Sequence, residues 1–301
     1  MNATSPRPYI LVGIDGSASA LHALTWAGAE AQRRNLPLRL FHIVGYSSFG
    51  YGFNPGISAS FFQHLDEDGV KFLDQARDHV HALYPNVETS TANVKGRPVS
   101  VLVEMSNAAF LTVLGSSGLG GFTGMLAGSV SVSLAAKGHS PVVVVRESGT
   151  PPDGPVVLGV NGSQSSEEAI GWAFEEASMR DAELIAVHVW NDVPPGYVFA
   201  YTAWARMDWA AEEQRQAEVL AERLAGWGEK HPNVKVRRVV AMGNPAEVLL
   251  RRAQHAQLVV VGSRGRGDVG GFFLGSVSHA LIHKAACPVL IARPHADESQ
   301  R

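Results

Sequence analysis

Two stretches of the chain carry the residue types of an anion-binding backbone. Gly115 to Ser131 reads GSSGLGGFTGMLAGSVS, and Gly262 to Ser278 reads GSRGRGDVGGFFLGSVS. Both place a glycine, two residues, a second glycine, nine residues and then Gly-Ser, at Gly115, Gly118, Gly128 and Ser129 and again at Gly262, Gly265, Gly275 and Ser276. Each stretch follows an apolar run that reads as a strand and leads into a helical pattern. Glycine admits positive φ and leaves no Cβ in a ligand's way. The first N–H groups of a helix have no partner inside it and can point at an anion. Ser276 is placed to cap its helix and to offer a hydroxyl to a phosphate. A single such loop is compatible with a tight turn. A turn gives no reason to repeat the long spacing to a second Gly-Ser.

These loops must be held by something, and the sequence supplies it twice. YILVGIDGS (Tyr9 to Ser17) returns as VVLGVNGS (Val156 to Ser163), and LRLFHIV (Leu38 to Val44) returns within ELIAVHVW (Glu183 to Trp190). Trp26 returns as Trp172, LTVLGSSG as LVVVGSRG, and PVVVVRE (Pro141 to Glu147) as PVLIARP (Pro288 to Pro294). The offset is about 147 residues throughout, so one domain is duplicated. The expected domains are 1–148 and 154–295, joined at SGTPPDGP, Ser148 to Pro155. A length of 301 residues suits two domains of about 150 each.

Within the first half, strands are expected at Ile10–Ile14, Leu38–Val44, Val87–Val94, Phe110–Leu114 and Val142–Val145. Helices are expected at Ser17–Arg34, Phe61–Leu83, Val99–Asn107 and Ser129–Lys137, the first with Leu21, Leu24, Ala27 and Ala31 on one face. Gly45 to Ser60 reads as a loop. The second half follows the same order, with a loop at Asn191–Ala203 and one long helix over about Trp204–Lys230. Near-continuous apolar strands alternating with helices predict an α/β fold with parallel sheets covered on both faces.

Composition narrows the function. The net charge of −3 gives no electrostatic footprint for nucleic acid. No apolar run is long enough to span a bilayer, so no membrane partner is expected. The N-terminal MNATSPRPYILVGIDGS has no apolar signal core, which predicts a cytoplasmic protein. The one cysteine, Cys287, precludes an internal disulfide and reads as a small buried apolar residue before Pro288.

The combination of VGIDGS, the histidine of FHIV and the two glycine loops, each with its counterpart in the other half, resembles the universal stress protein family in its tandem two-domain form. The resemblance runs from about Arg7 to Arg293. It implies two five-stranded parallel sheets of order 3-2-1-4-5 with helices on both faces, similar to other Rossmann-like nucleotide-binding folds. In that order Asp15, ending strand 1, and Gly115, ending strand 4, border one crevice, where such sheets bind ligands.

The glycine spacing is similar to that of the family's ATP-binding branch. The resemblance implies ATP or another adenine nucleotide, with or without Mg²⁺, as ligand. The Gly115–Ser129 and Gly262–Ser276 loops, with Gly118 and Gly128 and with Gly265 and Gly275, would wrap the phosphates, and Val130 and Val277 would continue the amide cradle. Gly13 and Asp15, with Gly159 and Asn161 in the second half, would lie near ribose and adenine. Ile43 and Val189 would offer backbone and apolar surface to adenine, while His42 and His188 read as structural strand residues. The halves differ: Arg264 and Arg266 stand where the first has Ser117 and Leu119, and Asn161 stands where the family has aspartate. Two sites of unequal affinity follow.

Other motifs carry less. Gly265, Gly267 and Gly270 fit GxGxxG by overlap with the longer motif, and there is no P-loop or GxSxG elbow. His279 and His283 are four apart on a helix, but the first half has Val132 and Ala136 there, so no metal site is expected. TAWARMDWAAEEQ reads as helix packing or a pocket cover. The resemblance implies a regulatory nucleotide binder in stress adaptation or growth arrest. The alternatives are a slow ATPase or autophosphorylating enzyme, with Asp15 helping to hold Mg²⁺ and Ser129 or Ser276 accepting a phosphoryl group, and a scaffold without nucleotide. The apolar last strands, Val142–Val145 and Val289–Ala292, predict that the halves pair as an internal pseudo-dimer, with a homodimer of whole chains as a further possibility.

Overall fold

A run such as VVVV has no polar face to offer to water, so it folds only where both sides are covered. In the computed structural model of the chain, all four residues of Val142–Val145 are buried, as are all five of Leu258–Gly262. The structure describes residues 7–45, 59–118, 128–146, 153–190, 208–265 and 274–293. It divides into two compact units, residues 1–147 with 293–301, and residues 148–292.

The first unit contains β1 (Ile10–Gly13), α1 (Ala18–Arg34), β2 (Leu38–Gly45), α2 (Ala59–Leu83), β3 (Thr89–Gly96), α3 (Pro98–Ser106), β4 (Leu111–Gly115), α4 (Ser129–Lys137) and β5 (Val142–Val145). Its strands run parallel in the order β3-β2-β1-β4-β5. The second unit contains β6 (Val156–Val160), α5 (Gln164–Met179), β7 (Leu184–Trp190), α6 (Trp209–Arg223), the short α7 (Trp227–Lys230), β8 (Val236–Met242), α8 (Pro245–Ala253), β9 (Leu258–Gly262), α9 (Ser276–Lys284) and β10 (Val289–Ala292). Its parallel order, β8-β7-β6-β9-β10, repeats that of the first. The expected 3-2-1-4-5 fold is therefore present twice. In each sheet growth reverses beside the first strand, so the carboxyl ends of β1 and β4, and of β6 and β9, flank a crevice.

Local chemistry sets the helix ends. Ser17 caps α1, its Oγ accepting from Ala20 N at 3.1 Å, and Asn35 closes it in the left-handed region at φ 51°. Pro98 and Pro245 open α3 and α8, where a missing N–H costs nothing. The buried face of α1 comprises Ala20, Ala23, Leu24, Ala27 and Ala31, whereas Leu21, expected on that face, is 45% exposed. The long second-half helix is also not continuous. It starts at an Asp208 cap, whose Oδ1 accepts from Ala210 N and Ala211 N, and breaks after Arg223. Gly226 takes φ 78°, and the turned chain lays Trp227 on Phe174 with ring centroids 5.7 Å apart. A Cβ at Gly171 would meet that indole at 3.0 Å. Packing thus overrides the helical pattern.

Candidate functional site

The crevice begins at the turn after the first strand of each unit. Gly16 and Gly162 adopt φ 83° and 77°, a region that glycine enters without strain. The turn they allow folds the preceding side chain back onto the backbone. Asp15 Oδ1 accepts from Ser17 N at 3.0 Å and from Ser17 Oγ at 2.6 Å. Asn161 Oδ1 accepts from Ser163 N at 3.0 Å and from Ser163 Oγ at 2.7 Å. The second polar atom of each side chain lies toward the glycine loop. A Cβ at Gly118 would fall 2.7 Å from Asp15 Oδ2, and one at Gly265 would fall 3.6 Å from Asn161 Nδ2.

The loop stems are pinned the same way in both units. Gly128 N donates to Ser116 O, and Gly275 N donates to Ser263 O at 2.9 Å. The chain therefore leaves the strand and re-enters at the helix within one hydrogen bond. The helix caps are Gly128 and Gly275, at φ −62° and −61°, and neither makes a side-chain cap bond. The expected cap, Ser276, is instead the first helical residue, as Ser129 is in α4. The carbonyl of Gly275 accepts from His279 N at 2.9 Å and opens the helix itself. Two residues further on, Ser131 Oγ donates to Gly115 O at 2.8 Å and Ser278 Oγ to Gly262 O at 2.7 Å. These hydroxyls fasten each helix start to its strand end. The recurrence of GSVS in both halves is the signal by which sequence reading could have singled them out.

In the second unit these elements enclose a cleft of about 520 Å³. Gly159, Asn161, Val189, Gly262, Arg264, Gly265, Gly275, Ser276 and Val277 line it, drawn from four separated segments of the chain. Arg266 lies outside the described residues. Seven further wall residues, among them Trp190, Pro245 and Leu249, were not among the expected site residues. The recurrence of G-x-P at Gly96–Pro98 and Gly243–Pro245 was the available signal for Pro245. Gly159 is hemmed in, since a Cβ there would meet Leu249 and Val261 at 3.0 Å.

In the first unit Asp15 and Gly118 meet as described, and Ser17 Oγ lies 3.4 Å from Ser117 O. Gly115 is tight against α1: a Cβ would fall 2.5 Å from Ser19 Oγ and 2.8 Å from Ser19 O. Gly13 is pressed by Leu114, whose Cδ2 would stand 2.6 Å from a Cβ. Ile43 and Val130 are half-buried and Ser129 is exposed.

The two strand histidines brace the sheet. His42 Nδ1 is 2.8 Å from Ile14 O, and His188 Nδ1 is 2.9 Å from Val160 O, with His188 Nε2 2.9 Å from Gln216 Oε1. The His279 and His283 rings lie tilted at 51° with centroids 4.4 Å apart. Among the described residues no group of three His, Cys, Asp or Glu side chains is arranged to hold a metal. Burial pushes the Cys287 thiol up to about 12, against weaker lowering by backbone hydrogen bonds, so it is not a nucleophile at neutral pH. No helix among the described residues is long and apolar enough to cross a membrane.

What the cleft can do follows from its walls. One end carries backbone amides, a hydroxyl and a guanidinium suited to an oxyanion. The other carries Val187, Val189, Trp190 and Leu249, suited to an apolar ring.

Comparison with known proteins agrees with the duplicated architecture. The model of the universal stress protein family matches residues 8–146 and again 154–293. Universal stress protein Rv2623 of Mycobacterium tuberculosis is 40% identical over 294 residues, covering 94% of this chain and 96% of that protein. Universal stress protein Rv1996 of the same organism is 38% identical over 311 residues, covering 97% of each. The crystal structure of a universal stress protein from Archaeoglobus fulgidus superposes with a TM-score of 0.69 at 18% identity, over 95% of this chain and 98% of that one, a likeness of fold.

Proposed function

The chain belongs to the universal stress protein family as two family domains in tandem, and from that premise we propose that it is an ATP-binding regulator, with adenine nucleotide held at the crevice of each unit. The observation that carries the reading is the cleft of about 520 Å³ lined by Gly159, Asn161, Val189, Arg264 and the two ends of the Gly262–Gly275 loop. That volume lies within the usual range for small-molecule and cofactor sites, roughly 300–1,000 Å³. The donor set suits phosphate, because the first-turn amides of α9 have no side-chain cap. In this reading Gly262–Gly265, Ser276 and Val277 hold phosphate oxygens, with Arg264 supplying charge. Val189 and Trp190 shield the base from water. In the first unit Gly115, Gly118, Ser129 and Val130 take the same roles, with Asp15 beside the loop and Ile43 at the base. Nucleotide occupancy then alters the surface presented to partners during stress. Pairing of the repeats as an internal pseudo-dimer, and of whole chains as a homodimer, belongs to the same proposal and rests on the apolar last strand of each repeat.

The test is to purify the full chain without added nucleotide, denature it, and identify and count the released small molecules by mass spectrometry. Adenine nucleotide at one to two per chain, or its uptake on titration with ATP, is the expected result. No release and no uptake would leave the glycine loops as architecture alone and put the scaffold reading in first place.

A further inference from the structure

The two crevices share a fold and differ in charge at two matched positions, Asp15 against Asn161 and Ser117 against Arg264. We infer that the second unit's cleft takes a nucleotide polyphosphate free of divalent cation, whereas the first unit's requires the cation-bound form; the inference rests on the nucleotide-binding reading above.

The starting point is what Asp15 and Asn161 have in common. Each uses Oδ1 to accept the same two hydrogen bonds, from the backbone N–H and the hydroxyl of the serine two residues on, at lengths that agree within 0.1 Å. Aspartate and asparagine are thus equivalent for building the turn. They are not equivalent at the second polar atom, which in both cases lies toward the glycine loop. There Asp15 presents a carboxylate oxygen and Asn161 an amide nitrogen. The first accepts and carries negative charge; the second donates and is neutral.

A second difference points the same way. Arg264 lines the second cleft, and its counterpart in the first unit is Ser117. Among the described residues lining the second cleft, Arg264 is the charged one and no carboxylate is present. At these two matched positions Arg264 and Asn161 sum to +1, and Ser117 and Asp15 sum to −1, a difference of (+1) − (−1) = 2.

A polyphosphate is a polyanion. Seated on the Gly115–Gly118 loop, toward which Asp15 Oδ2 lies, it meets a like charge, which disfavours binding unless a cation intervenes. Magnesium is commonly held by one or two carboxylates together with substrate phosphates, and Asp15 supplies such a carboxylate. Beside Arg264 and Asn161 the charge is already met by protein donors, and a guanidinium binds phosphate oxygens bidentately. Among the described residues lining the cleft, a divalent cation would meet repulsion from Arg264 and no carboxylate.

The experiment is equilibrium titration of the full-length chain with ATP, in excess Mg²⁺ and in excess EDTA, with stoichiometry counted by native mass spectrometry. The expected result is two nucleotides per chain with Mg²⁺ and one with EDTA. Hydrogen exchange should show the EDTA-resistant protection at Gly262–Gly265 and the Mg²⁺-dependent protection at Gly115–Gly118. That readout assigns the sites without any substitution. The double variant Asn161→Asp, Arg264→Ser should weaken the EDTA-resistant site at least tenfold, and Asp15→Asn should let the first site bind in EDTA. Two equivalents bound alike in EDTA and Mg²⁺, or EDTA-resistant protection at Gly115–Gly118, would overturn the inference and leave the nucleotide reading intact. Absence of binding in both conditions would overturn both.

Discussion

Glu30 is 0% exposed, and its two oxygens accept from Arg34 Nε at 2.5 Å and Arg33 Nη1 at 3.2 Å. The Arg34 side chain is itself 5% exposed, while that of Arg33 is 34% exposed. Replacing Glu30 by glutamine keeps the size and removes the negative charge that Glu30 sets against the buried Arg34 cation. Breaking a buried pair in this way costs about 3–5 kcal/mol. The glutamine oxygen can still accept one hydrogen bond, returning about 1 kcal/mol. Arg33 can turn to water, so its bond adds little. The expected loss for Glu30→Gln is therefore about 2–4 kcal/mol, which for a unit of this size lowers its melting temperature by about 4–16 °C. Glu176 and Arg180 repeat the arrangement in α5, with side chains 0% and 5% exposed, so Glu176→Gln should do the same to the second unit. The exposed pair Arg237–Glu183, at 52% and 41%, is the control, and Glu183→Gln should cost less than about 1 kcal/mol. Native-state hydrogen exchange on the full chain reads each unit separately, which matters because two units need not unfold as one transition. Removing both charges with Glu30→Leu, Arg34→Met should recover most of the loss, because no buried ion then lacks a partner. A Glu30→Gln loss below about 1 kcal/mol, or a double variant no more stable than the single one, would refute the reasoning that desolvation dominates this pair.

Two further predictions follow from the geometry. Gly118→Ala puts a Cβ 2.7 Å from Asp15 Oδ2 and must displace a carboxylate tied to Ser17, whereas Gly265→Ala meets Asn161 at an ordinary 3.6 Å. Loss of one such hydrogen bond is worth about 1.4 kcal/mol, so ATP affinity at the first crevice should fall about tenfold in Gly118→Ala, with less than a threefold change at the second in Gly265→Ala, by calorimetric titration. The Cys287 thiol, raised from 9.0 to about 12 in the folded chain, keeps its proton after the unfolded thiol has lost it. Its contribution to stability is complete below pH 9.0 and is lost as pH rises toward 12, at up to about 1.4 kcal/mol per pH unit. Denaturant unfolding across that range should show a steeper decline for the wild-type chain than for Cys287→Ala.

The strands were legible because apolar runs such as Leu258–Val261 fit nothing but a covered sheet. The strand order was not in those runs; it came with the resemblance carried by VGIDGS and the glycine spacing. The cleft residues on loop and strand ends could be named because the motifs that hold them, the glycine loop above all, recur at an offset of about 147 residues. The walls contributed by Leu249 and Trp190 could not be named in this way. They are apolar residues of α8 and β7 whose sequence looks like any core position, and the crossing of those elements over the crevice is a tertiary fact. The break at Gly226 was hidden for a similar reason. A single glycine costs a helix only about 1 kcal/mol, and the stacking of Trp227 on Phe174 decides the matter. The capping role assigned to Ser276 failed because Gly275 already holds the extended conformation of a cap.

A duplicated fold can diverge most cheaply where a residue does two jobs with two different atoms. At Asp15 and Asn161 one oxygen builds the turn, and that requirement is met equally by either side chain. The other atom lies toward the loop and is a carboxylate oxygen in one crevice and an amide nitrogen in the other. The same holds one strand over: Arg264 is exposed and Ser117 half-buried, and each occupies a loop whose path is set by the stem hydrogen bond between Ser263 and Gly275, or between Ser116 and Gly128. Positions that set the path leave no such freedom. Gly115 faces the backbone of Ser19, and both Gly16 and Gly162 hold left-handed φ. The differences between the crevices therefore fall on side chains that the nucleotide-binding proposal turns toward the ligand, beside turn and stem hydrogen bonds that the two units share. This makes an exchange of side chains between the two crevices a test of ligand chemistry, with stability expected to stay within about 0.5 kcal/mol.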